Sequence, residues 1–243
     1  MQFFLASVSK DPSINRPLLD QLANVFELQL YTHVAPFWQG GGARVLAVSS
    51  LDSMPDTSDV CPVIVFDDPD QPGALGYHTY DPKDREYAKV FWQPIKENGG
   101  TLIQGADSLS VTGSHEIVES YVDPYVNDFS FVDAHTAEWK EACDRTEGDS
   151  YEHVGVALSN FLGPRAFRDG DGPYDWMRLL QSPWEVRPGG YVQRMDIRTG
   201  KISTTWGPKM PAWKRELKEL KTKMKLSRAA RRLEKNEALR KEA

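Results

Sequence analysis

Apolar positions recur with two different periods along this chain, and the changes of period divide it. From Asn15 to Val34 ("NRPLLDQLANVFELQLYTHV"), Leu18, Leu22, Val25 and Phe26 fall at three- and four-residue intervals, with Pro17 near the start. That spacing predicts an amphipathic helix. "QFFLASVS" before it reads as a first or edge strand. "ARVLAVSS" and "CPVIVFDD" are apolar runs of strand length bounded by Gly, Pro and Asp, and "GALGYHTY" looks like another strand. "REYAKVFWQPI" fits strand and helix equally, and "NGG" at Asn98 to Gly100 marks a turn. Next, Leu109, Ile117, Val118, Tyr121 and Val122 form a helical stripe, with Ser108 or Ser110 as its cap and Pro124 as its stop. A second helix is expected over "AHTAEWKEACD". "GGYVQRMDIRTGKISTTWG" alternates with period two around Thr199-Gly200, as a hairpin does. This order of elements predicts the α+β class.

Composition changes the picture at one point only. The chain has 243 residues, enough to bury a sizeable core. It has no apolar run long enough to span a membrane. The N-terminus lacks a basic residue before its short apolar run, so a strand is expected there rather than a secretion signal. Cys61 and Cys143 form no close pair and read as reduced thiols, which fits a cytoplasmic protein. Charge, however, is split. Residues 209–243 carry 13 Lys/Arg against 5 Asp/Glu, a net of +8, while the 208 residues before them are at −14. We therefore divide the chain into a body, 1–208, and a basic tail, 209–243, expected to be a polar helix. Leu217, Leu220 and Met224 make one short apolar stripe in that tail, and Leu226, Ala230 and Leu233 another.

The chemistry concentrates in "SHEIVES", Ser114 to Ser120. On a helix His115 and Glu119, four apart, share a face, as two ligands of one metal must. Glu116 points to the neighbouring side, where a general base for a metal-bound water would sit. Zinc accepts carboxylate oxygen as well as imidazole nitrogen, so Glu119 qualifies as a ligand. The third ligand has to come from elsewhere, and "AEWKEACD" offers Glu138, Glu141 and Asp144. His78, on its expected strand, is a candidate to face the cleft and steady an oxyanion. Asp123 is either a helix-ending acid or a partner that orients His115. His33 lies near a helix C-terminus, where its charge suits the dipole.

The words "GALGYHTY", "VTGSHEIVESYVDPYVND", "EWKEACD", "SNFLGPRAF" and "GGYV", in this order, resemble a family of zinc metallopeptidases encoded by bacteriophages and prophages. The likeness spans most of residues 1–208 and leaves out the tail. It implies a zincin-like domain holding one zinc, with His115 and Glu119 as ligands, Glu116 as general base, and Glu141 or Asp144 as third ligand. It also implies a peptide or protein substrate and a site in the bacterial host cytoplasm during infection, or in the virion. Two carboxylate ligands hold more negative charge on the ion than better-known sites do, which predicts a weaker Lewis acid. The rival reading is a virion structural protein built on the same scaffold. For the tail, a solvated helix competes with self-association, with docking on phage structural proteins, and with nucleic-acid contact, for which no aromatic interleaving speaks.

Overall fold

The computed structural model describes residues 1–55, 57, 59–81, 85–208 and 212–216. The expected tail helix, with both of its apolar stripes, lies outside the described residues apart from a helical turn at 212–216.

Five strands form the first sheet: β1 (Gln2–Ser7), β2 (Arg44–Ala47), β3 (Val60–Phe66), β4 (Gly76–Tyr80) and β5 (Glu86–Phe91), in the order β2-β1-β3-β5-β4. The pairings β1–β2, β1–β3 and β3–β5 are parallel, and only β4 runs antiparallel, at the edge. The sheet is therefore mixed and the fold is α+β. The first strand is not at an edge: "FFLA" is buried throughout, as an interior parallel strand requires. The ambiguous "REYAKVFWQPI" is both things in turn, β5 followed by α3 (Trp92–Glu97).

Two helices cover one face of this sheet. In α1 (Arg16–Gln29), Asn15 caps the start by accepting from the Leu18 N–H, and Leu22 and Phe26 enter the core. It continues through a π-helical turn, Leu30–Val34, into the short α2 (Ala35–Trp38). The second long helix is α4 (Leu109–Val122), whose cap is Ser108, accepting from the Val111 N–H. Ile117 and Val118 join the same core as Phe3, Val63 and Val90. The hairpin β8 (Ser150–His153) and β9 (Val156–Ser159) clasps the other flank of α4. Two serines fasten it: Ser110 Oγ donates to the Ala157 carbonyl at 2.7 Å, and the Ser159 N–H donates to Ser114 Oγ at 2.7 Å. Between them Gly113 lets the Phe26 ring approach; a Cβ there would lie 3.1 Å from it.

The second expected helix is absent. "AHTAEWKEACD" instead supplies the turn and second strand of a hairpin, β6 (Phe129–Asp133) and β7 (Thr136–Trp139), then an irregular loop and a 3-10 turn, Asp144–Thr146. Asp133 makes the turn by accepting the His135 N–H at 2.8 Å. The hairpin joins β10 (Tyr191–Asp196) and β11 (Ile202–Trp206) in a four-stranded antiparallel sheet, β11-β10-β7-β6, and β10–β11 is the expected hairpin. Among the described residues no helix is long and apolar enough to cross a membrane.

Candidate metal centre

Three segments converge under α4. The helix contributes His115, Glu116 and Glu119. Strand β4 contributes His78. The loop after β7 contributes Glu141 and Asp144. His115 Nε2 lies 3.2 Å from Glu119 Oε1, so the i, i+4 geometry is realised, and 3.3 Å from Asp144 Oδ1. On the other side of Glu119, Oε2 lies 3.4 Å from His78 Nδ1. The same nitrogen is 3.5 Å from Glu116 Oε2, while His78 Nε2 is 3.8 Å from Glu141 Oε2. Two groups with metal-ligand spacing result, His115–Glu119–Asp144 and His78–Glu119–Glu141, and they share Glu119.

Each placement has a local cause. Glu119 Oε1 also accepts the Cys143 N–H at 3.1 Å, which ties the loop to the helix. The loop is anchored from behind by Arg145, a buried guanidinium that donates to the Ala166 carbonyl at 2.8 Å and pairs with Glu138 at 3.0 Å. Glu138 also pairs with Arg194 at 2.8 Å. Glu138 belongs to neither group: it lies on strand β7, where two arginines hold it. Anchored in this way, the 3-10 turn presents Asp144 to His115. On β4, Gly76 makes room for Glu116, since a Cβ there would come within 2.7 Å of Glu116 Oε1.

The site is buried and strongly acidic. His78 and Glu119 are fully buried, and Glu116 and Asp144 are nearly so. Glu116 Oε2 and Glu119 Oε2 make no hydrogen bond among the described residues. Burial disfavours a charged His115, but the Glu119 carboxylate, the hydrogen bond with Asp144 and the charge of Glu116 outweigh it and raise His115 well above the usual imidazole range. Burial likewise works against an ionised Glu119, and His115 and His78 overcome it, holding Glu119 well below the usual carboxylate range. The Cys143 thiol is pushed up by burial and by the Glu119 charge, so it stays protonated beside the site. Beyond His78, Glu86 on β5 is raised to about 8, chiefly by burial.

Do these residues fit a divalent ion? Ligands about 2.0–2.1 Å from a tetrahedral zinc lie about 3.3 Å from one another. The two separations measured from His115 Nε2, 3.2 and 3.3 Å, match that edge. The donors are one imidazole and two carboxylates, a set that zinc accepts. Glu119 and Glu116 each keep a buried carboxylate oxygen that makes no hydrogen bond among the described residues and faces His78 Nδ1 at 3.4 and 3.5 Å, a concentration of negative charge that a bound cation would offset. The residues fit.

His78 was expected to face the cleft. It lies instead behind Glu116 and Glu119, among the carboxylates. The cleft is lined by His115 and Glu116 on its floor, with Gly76, Glu147 and Tyr191 at its walls. Asp123 accepts the N–H groups of Asn127 and Asp128, each at 3.0 Å, and so shapes the turn after α4. Sequence reasoning missed Glu147 and Tyr191, and it missed the wall residues Asp107, Trp213 and Lys214. Only the acidity of the body and the basicity of the tail hinted that the two ends would meet. No protein-family model matches this chain, and neither does any curated protein or solved structure.

Proposed function

We propose that this chain is a metal-dependent hydrolase. More particularly, we read it as a zincin-like peptidase of the phage-encoded kind, with a basic C-terminal extension. The observation that carries the reading is the meeting of His115, Glu119 and Asp144 at ligand separations in a buried site, beside a carboxylate, Glu116, that opens on a cleft.

His115, Glu119 and Asp144 would hold the zinc. When bound, zinc supplies a Lewis acid for a peptide carbonyl and its attacking water. Glu116 is the general base. Glu116 lines the cleft beside His115, where its carboxylate can accept a proton from the attacking water and return it to the leaving amine. His78 steadies Glu119 through Oε2 and keeps Glu116 from turning inward. The burial of His115 and Glu116 limits the access of bulk water to the proton transfer. Two anionic donors weaken the Lewis acid, so turnover is expected to be slow.

Elemental analysis combined with a peptide-library digest tests the reading. Wild type should hold about one zinc per chain. Glu116→Gln should keep that zinc and lose cleavage by a factor on the order of 100 or more. A wild-type protein that takes up no zinc when supplied with it would end the metallohydrolase reading and favour the virion-scaffold rival.

A further inference from the structure

One lysine among the described residues is buried, and it comes from the tail. Lys214 retains 5% exposure, although lysine is seldom enclosed unless paired. Its Nζ lies 2.6 Å from Asp107 Oδ1 and 5.5 Å from the ring centroid of its own neighbour, Trp213. Asp107 directly precedes Ser108, the cap of α4. Trp213, Lys214 and Asp107 line the same cleft as His115 and Glu116. A chain segment about a hundred residues away in sequence therefore stands in the mouth of the proposed active site.

We propose that this mouth is a subsite for a lysine side chain flanked by an aromatic residue, that Asp107 is the residue that reads the lysine, and that Trp213-Lys214 fills it in cis. The inference deepens the peptidase reading, since it names the class of peptide the cleft takes. It stands on charge and shape. Asp107, Glu116 and Glu147 give the cleft three carboxylates, which attract an ammonium and repel phosphate. Lys214 is enclosed in a cleft that Leu75, Ile95 and Val111 also line, and its head reaches the acid. Asp107 keeps 41% side-chain exposure against 6% for Lys214, so solvent and an incoming ammonium reach the pair from the side of the acid. An incoming peptide would therefore compete with the cis segment for Asp107 from that side. Nucleic acid, one of the partners considered for the basic tail, has no complement at this end of the segment.

The test uses full-length protein, freed of metal, and a fluorescent peptide with the sequence of residues 209–220. Fluorescence anisotropy reads binding without relying on catalysis. Wild type, with its mouth already filled, should bind the peptide weakly. Lys214→Glu and Lys214→Met should each open the mouth and bind it at least tenfold more tightly. Adding Asp107→Lys to either variant should abolish that gain, and a peptide with glutamate at the matching lysine should not bind. Equal affinity for wild type and both Lys214 variants, or a gain indifferent to Asp107, overturns the proposal. Because the readout needs no ion, it answers whichever way the zinc assay falls: failure here leaves the hydrolase standing, and absence of zinc leaves this subsite standing.

Discussion

Two histidines sit on helices of this protein, one buried and one half-buried, and their surroundings drive them in opposite directions. His115 stands among Glu119, Asp144 and Glu116 and is held protonated well above the ordinary range. His33, in the π-helical turn, stacks on Trp176 with centroids 4.4 Å apart and meets His153 edge-on at 4.6 Å. Its Nδ1 lies 2.8 Å from Tyr151 Oη. Burial, and then the charge of His153, lower it to about 4. The helix-end role expected for His33 thus gives way to packing in an aromatic nest. Neighbours, more than enclosure, decide whether a histidine recruits a cation. Carboxylates that stabilise a proton on His115 can instead stabilise a metal, at the cost of that proton. Nothing around His33 offers the same exchange.

Substitutions should separate the two regions sharply. The largest effect is expected from Glu119→Ala and Asp144→Asn, which should abolish zinc uptake measured by elemental analysis, whereas His33→Gln should leave it at about one per chain. If Asp144→Asn keeps its zinc, the ion belongs with His78 and Glu141 instead, and a wild-type count near two would mean that both groups are filled. A smaller change is expected for His78→Ala, which removes a group that orients Glu119: zinc affinity should fall about 10–100-fold at unchanged stoichiometry, read by competition with a chromophoric chelator. The mildest effect should appear as a slope against pH. His33 has a folded pKa of about 4, below its ordinary 6.5, so the unfolded chain takes up the proton first. Its contribution is complete above about 6.5 and is lost as pH falls toward 4. His33→Gln should flatten that acid-side loss in thermal melts. In metal-free protein the raised pKa of His115 works the other way, its contribution being lost as pH rises through the folded value. Melts of His33→Gln that track wild type between pH 4 and 6.5 would count against the contrast.

Local signals told most where structure is local. The helix α4, its Ser108 cap and the shared face of His115 and Glu119 follow from spacing within one segment, and so does the β10–β11 hairpin. The misreading of "AHTAEWKEACD" has a clear cause. Glu138, Glu141 and Asp144 recur every three residues and imitate a helix face, but Ala137, Glu138 and Trp139 are all buried and β7 pairs in a ladder with β10. That ladder joins residues 56 to 60 apart, the Arg194–Glu138 pair among them, and no short window of sequence contains it. The meeting of Lys214 with Asp107 was hidden for the same reason. Asp144 lay among the third-ligand candidates, and the buried anchor Arg145 beside it explains why it can serve.

The convergence of three segments also sets an order of events. Parallel strands β1, β2 and β3 can pair once the first 66 residues exist, but His115 has no Asp144 beside it until the loop after β7 has been made and docked. An ion in this site would therefore arrive late. It would find no preformed pocket on a half-made chain and would bind only the finished arrangement. By mass action, a thousandfold excess over its dissociation constant would add about 4 kcal/mol to that arrangement alone. Such an ion is a latch closed on a completed fold, not a seed around which the fold grows.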